Sequence, residues 1–133
     1  MSVQQEVQIV KDFFVAMSRG DREGLLALAA EDIEWIIPGA WALTGTHRGH
    51  VGLTNLLQTA SGAVETTIAD PMEFVAQGDR VLVVGFATGT VKATNKPFED
   101  NFIFAITVRD GRVASIREYI DTLALARASN TVA

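Results

Sequence analysis

VLVVGFATGT (Val81–Thr90), FEDNFIFAITV (Phe98–Val108) and VASIREYID (Val113–Asp121) are three apolar runs in close succession, and their reading decides the fold. Thr94-Asn95-Lys96-Pro97 turns the chain between the first two, and Asp110-Gly111 is a strong hairpin signal between the last two. Val81–Thr90 is apolar on both faces, as expected of a strand buried on each side. Gly85 and Gly89 inside it predict bulges or sharp curvature. In the last run, strand alternation puts Ile116, Glu118 and Ile120 on one face and Arg117, Tyr119 and Asp121 on the other. A carboxylate is thereby set between two aliphatic side chains.

Upstream of this meander the period changes. Val3, Val7, Val10, Phe14 and Met17 are spaced by three and four residues, with Ile9 and Phe13 widening the stripe, which predicts an amphipathic helix over residues 3–19. Gly20 is a natural helix stop and Asp21 a cap for a short second helix that buries Leu25, Leu26 and Leu28. Ile33–Ile37 reads as a strand closed by Pro38-Gly39, Ala40–Gly49 as a covering loop, and His50–Ser61 as a third helix ended by Gly62. Val64–Gln77 reads as a strand broken at Asp70-Pro71. Helices first and a meander last imply an α+β fold with the helices on one face of the sheet.

At 133 residues the chain is read as one domain, 1–133, with residues 128–133 a frayed tail. Apolar residues make up 48 %, enough for a sizeable core, yet no apolar stretch reaches the roughly 18–20 residues that cross a bilayer. The first residues lack a basic segment leading into an apolar one, so they do not read as a signal peptide. With no cysteine there is neither a disulfide framework nor a thiolate site. A cytoplasmic location is expected. The net charge is −5 with Lys and Arg scattered, which argues against nucleic-acid and anionic-membrane partners. His47 and His50 lack a carboxylate cluster at ligand spacing, so no metal site is expected. Neither a phosphate-binding Gly-rich fingerprint nor a Gly-x-Ser-x-Gly elbow is present, and no cofactor is expected.

Ser18-Arg19-Gly20-Asp21, Asp32–Trp35, Gly45-Thr46-His47-Arg48-Gly49 and Asp110–Asp121 together resemble the nuclear-transport-factor-2-like superfamily, and within it SnoaL-like and ketosteroid-isomerase-related proteins. The resemblance spans about Val3 to Ala126. It implies three N-terminal helices packed on a strongly curved mixed sheet, a cone with an apolar pocket. It is poorly specific for chemistry, because this fold hosts many reactions as well as non-enzymatic adaptors. The ketosteroid isomerase residues are replaced: by approximate register Ile37 stands for the general base, and Phe13 and Phe104 for the oxyanion donors. A phenyl ring donates no hydrogen bond to an enolate oxygen, which argues against steroid isomerisation by that mechanism. The Asp-Arg-Asp set of limonene-epoxide-hydrolase-like members is also broken, since Val81–Thr90 contains neither Arg nor Asp. SnoaL-like cyclases transfer protons with a carboxylate helped by a histidine, and Glu118 and His47 are the residue types that remain.

The candidate site therefore has Glu118 and His47 as catalytic residues, with Trp35, Trp41, Asn101 and Ile116 binding substrate. Burial would raise the Glu118 pKa toward neutrality and suit it to acid–base work; the alternatives are a solvent-facing side chain or a pair with a nearby Arg. His47 either assists at the site or stabilises its loop, and Arg48 either meets an anion or pairs with a local carboxylate. Asn101 either turns inward to a ligand carbonyl or satisfies backbone at a bulge. The expected partners are a small apolar ligand and a second copy of the chain. Two functions follow: cofactor-free proton transfer of isomerase or cyclase type on a small carbonyl compound, or non-catalytic carriage of a hydrophobic ligand.

Overall fold

The computed structural model describes residues 2–39, 41–70 and 72–129. Its elements are α1 (Val3–Arg19), α2 (Arg22–Leu28), β1 (Ala29–Ile37), β2 (Gly45–Arg48), α3 (Gly49–Ala63), β3 (Val64–Ile68), β4 (Glu73–Gln77), β5 (Arg80–Val91), β6 (Lys96–Arg109), β7 (Arg112–Tyr119) and α4 (Thr122–Ala128). One sheet runs β2-β1-β7-β6-β5-β3, with β4 also paired to β5. The β1–β7 pairing is parallel and the others antiparallel, so the sheet is mixed.

Local chemistry sets the boundaries. Ser2 caps α1 in a reciprocal box with Gln5, and Gly20 ends it in the left-handed conformation at φ 66°. Asp21 caps α2 by accepting from Gly24 N at 3.0 Å. The β6–β7 hairpin turns at Asp110 and Gly111, both at positive φ, as the Asp-Gly pair predicts.

Four expectations need correction. The segment 40–49 is not wholly loop: Gly45–Arg48 pairs antiparallel with β1 because that strand leaves an edge open there. Gly62 does not stop the third helix, which continues to Ala63. A fourth helix follows the meander: β7 ends at Tyr119, and Asp121 caps α4 by accepting from Ala124 N at 3.0 Å. Ala128, expected in the frayed tail, is buried, and the Ser129 hydroxyl donates to the Leu125 carbonyl; residues 130–133 lie outside the described residues. The sequence did contain the signal for α4, an Asp cap before a run of Ala and Leu.

Gly85 and Gly89 do not mark bulges against β6, because the β5–β6 register is continuous from Arg80 to Val91. They make room. A Cβ on Gly85 would lie 2.4 Å from the Phe102 ring, and one on Gly89 would lie 2.2 Å from the Glu65 carbonyl oxygen. The far edge of β5 also changes partner here, from β4 below Gly85 to β3 above Phe86. Val10, Phe13, Ile33, Trp35, Leu53, Val81, Val83, Ile106 and Ile116 form the centre of the core between helices and sheet. No helix among the described residues is long and apolar enough to cross a membrane.

Candidate functional site

Glu118 points inward. In β7 the buried positions are Val113, Ala114, Ile116 and Glu118, while Arg117 and Tyr119 are exposed. Only 8 % of Glu118 reaches solvent. Its Oε1 accepts a hydrogen bond from the indole Nε1 of Trp35. The parallel register sets Trp35 opposite Ile116, so the indole has to reach only one inward position along β7. That register follows a slip in the pairing, where β1 advances from Ala29 to Glu34 while β7 advances only from Val113 to Ser115.

Aromatic rings surround the acid. Phe104 is the cross-strand partner of Glu118. It stacks on Phe14 at 5.4 Å and on Phe102 at 4.8 Å, and meets Trp35 edge-on at 6.3 Å. Phe13 packs against Trp35 at 6.3 Å. Burial among these rings is the main reason the Glu118 pKa rises, from 4.5 to about 7; the Trp35 hydrogen bond opposes the rise and the charge of Asp100 adds to it.

Asp100 is the residue that sequence reasoning missed. It is 7 % exposed and lies on the inner face of β6, in step with Phe98 and Phe102. Its Oδ1 accepts from Asp121 N at 2.8 Å, which ties the start of α4 to the sheet. Burial raises its pKa, the Asp121 amide lowers it, and the Asp121 charge raises it. Asn101 is corrected by the same alternation: it is exposed and faces away from Glu118, opposite Phe86 on the outer side of the sheet. Parity with Phe98 and Phe102 was the signal that separates the two.

The other candidates divide. Ile116 is wholly buried beneath Trp35 and Ile106 and serves as core wall. Trp41 is half-buried and packs against the main core and against a smaller cluster of Val91, Phe98, Leu125 and Ala128. His47 is the cross-strand neighbour of Trp35, but its Nε2 lies 3.0 Å from the Leu43 carbonyl; since a carbonyl only accepts, that nitrogen carries the proton and holds the loop. Arg48 takes the local option, an exposed ion pair with Glu34 at 3.2 Å. No metal-binding group of three or more His, Cys, Asp or Glu occurs among the described residues.

The rings of Phe13, Phe14, Trp35, Phe102 and Phe104 pack together on the inner face of the sheet. Two surface clefts, of about 400 and 510 Å³, lie at the rim formed by β3, β5 and β6 and between β6 and α4, and Glu118 lines neither.

Helices packed on one curved mixed sheet are the architecture of the NTF2-like class. A crystal structure of an NTF2-like protein from Burkholderia xenovorans LB400 superposes with a TM-score of 0.94 at 71 % identity, covering 98 % of this chain and 99 % of that one. The chain belongs to the SnoaL-like domain family, whose model matches residues 10–116. TerC, co-crystallised with polyporic acid, is similar at 27 % identity and a TM-score of 0.83, over 95 % of this chain and 98 % of that one. An uncharacterised protein of Mycobacterium tuberculosis is 25 % identical over 90 % of this chain and 91 % of its own length.

Proposed function

We propose that the protein is a cofactor-free proton-transfer enzyme of isomerase or cyclase type, acting on a small, mostly apolar carbonyl compound, with Glu118 as its acid–base. The observation that carries this reading is a buried carboxylate whose pKa stands at about 7, held by one indole N–H among aromatic rings. General acid–base work is most efficient when the catalytic pKa lies near the operating pH. In the step envisaged, the Glu118 carboxylate takes a proton from the carbon beside the carbonyl. The C–H electron pair moves into the C–C bond, the carbonyl π pair moves onto oxygen, and the proton returns to the same or a conjugated carbon. The likeness to TerC, co-crystallised with polyporic acid, supports a small organic ligand. Phe104, the cross-strand neighbour of Glu118, is only half-buried.

Deuterium incorporation from heavy water into 2-tetralone and a panel of enones and diketones tests the reading. Wild type is expected to accelerate exchange, and Glu118→Gln to lose at least about 100-fold of that acceleration. Equal exchange by the two proteins sinks it. A second reading, a carrier of a hydrophobic ligand, draws on the placement of His47 and Asn101, neither of which joins Glu118 to polarise a carbonyl. Binding without exchange across the panel favours it.

The outer sheet face supports a homodimer. Leu82, Val84 and Phe86 of β5 adjoin Ile103 and Tyr119, which are 40 % and 50 % exposed. Sedimentation at micromolar concentration is expected to give twice the 14.3 kDa chain mass, and a monomer alone would refute the dimer.

A further inference from the structure

The helix α4 is held to the sheet by few groups. At 7 residues it is too short to persist alone. Its apolar seat is the small cluster of Val91, Phe98, Leu125 and Ala128, joined to the main core through Trp41 and Ile120. Two polar ties complete the docking. The Thr94 hydroxyl donates to the Ala128 carbonyl at the far end, and Asp121 N donates to Asp100 Oδ1 at 2.8 Å at the near end. A cleft of about 510 Å³ remains between β6 and α4, and Asp121 lines it. An element seated on so little buried surface opens locally, without unfolding of the whole domain.

The near tie is made by one buried acid beside another. Asp100 and Glu118 both lie on the inner face, 7 % and 8 % exposed. Asp100 is bonded to the amide of residue 121, three residues past Glu118, so at most about 11 Å of extended chain separates that amide from Glu118. The charge of Asp100 acts on Glu118 in the direction that keeps its proton. Among the described residues no lysine, arginine or histidine is buried with them. From β5, Ala87 stands opposite Asp100; from β1, Trp35 donates to Glu118, while Glu34 pairs with Arg48 at the surface. From α1 comes Phe14, stacked on Phe104; its buried charged residue is another acid, Glu6, and its Lys11 lies over Phe74 of β4. From α4 comes the carboxylate of Asp121, and Lys96, Glu99 and Arg127 line the outer cleft.

Seating α4 takes Asp100 out of water, and burial raises its pKa more than the Asp121 amide lowers it. Lifting the helix withdraws that amide and admits water, so the acids release protons more readily. The seated form therefore binds more protons than the lifted form. Its advantage is full at low pH and is lost as pH rises through the seated-form value, about 7 for Glu118. We propose that α4 is a proton-linked cover, seated on β6 while Asp100 and Glu118 hold protons and lifting as they ionise, which opens the end of the inner face next to Glu118. This inference goes beyond the proton-transfer reading and does not depend on it, since the ligand of a carrier would meet the same cover.

Amide hydrogen exchange in the full chain, corrected for its intrinsic pH dependence, tests the proposal. Leu125 N and Ser129 N donate to the Asp121 and Leu125 carbonyls and report the state of α4; the amide of wholly buried Phe13 reports the domain. Between about pH 5.5 and 8, protection of the two α4 amides is expected to fall about 10-fold, a ten-fold difference in proton affinity between the two forms, and to stay below that of Phe13 throughout. The double variant Asp100→Asn with Glu118→Gln keeps both acceptor oxygens and is expected to lose the fall. Protection that ignores pH in wild type, that equals the Phe13 value at every pH, or that falls as steeply in the double variant overturns the proposal. A reciprocal measurement leaves both acids in place: Leu125→Ala, which loosens the seat of α4, should lower the Glu118 midpoint in a carboxyl NMR titration by about 0.5 or more. An unmoved midpoint also overturns it. Failure of the proton-transfer reading is seen separately, in deuterium exchange into the ketone panel, which enters neither measurement.

Discussion

At pH 8, Glu118→Gln is expected to melt about 10 °C above wild type, and at pH 4 within about 1 °C of it. The sign follows from the direction of the pKa shift. The Glu118 carboxyl moves from its ordinary 4.5 up to about 7 in the folded protein, chiefly through burial. Between those values the folded state holds more protons than the unfolded state, so stability falls as pH rises. The contribution is fully present below pH 4.5 and gone above 7, a loss on the order of 3 kcal/mol. Glutamine is neutral throughout and keeps an oxygen for the Trp35 indole. Asp100 is raised as well and remains in the variant, so a slope of the same sign persists there. Trp35→Phe is the companion: removing a donor to the charged form should move the Glu118 midpoint upward, read by carboxyl NMR titration. Thermal melting across pH 4–8 decides the matter. Parallel curves for wild type and Glu118→Gln would mean that the buried acid is not held against its charge. Together with the loss of exchange, the variant is expected to become more stable and less active, as an acid kept for chemistry implies.

Gly89→Ala should be severely destabilising, by about 3 kcal/mol and roughly 10 °C in melting temperature. The new Cβ would stand 2.2 Å from the Glu65 carbonyl oxygen and 2.6 Å from the tip of the Phe98 ring. The oxygen belongs to β3, whose Thr66 is in register with Gly89, so relief requires the strands to separate. Gly85→Ala instead meets the Phe102 ring first, at 2.4 Å. That ring turns more readily than backbone moves, although its stacking on Phe104 at 4.8 Å limits the turn. The expected order is therefore wild type, then Gly85→Ala, then Gly89→Ala. Denaturant unfolding that places Gly89→Ala within 0.5 kcal/mol of wild type would show that the strands yield easily there.

Much of this architecture was legible before any coordinates. The stripe from Val3 to Met17, the Gly20-Asp21 break and the Asp110-Gly111 hairpin are local signals, each resting on backbone geometry or on a helix period. Strand alternation alone put Glu118 with Ile116, and it also held the answer for Asp100 against Asn101, had the phase been carried back from Phe102. The missed elements were short. β2 spans Gly45–Arg48 and has no periodicity of its own, so it becomes a strand only because β1 offers an edge. α4 carried a cap signal but too few residues to stand apart from a tail, and its place comes from docking Leu125 and Ala128 beside Phe98 and Val91.

Spacing along the chain fixes the longer helices and strands, their turns and the face on which Glu118 lies. What that acid meets depends on which strands and helices come together in space. Trp35 and Glu118 are 83 residues apart and touch because β1 and β7 pair in parallel after a slip in register. The aromatic enclosure that raises the Glu118 pKa is assembled from α1, β1 and β6 at once. Desolvation sums over everything nearby in space, and no spacing along one strand records that sum.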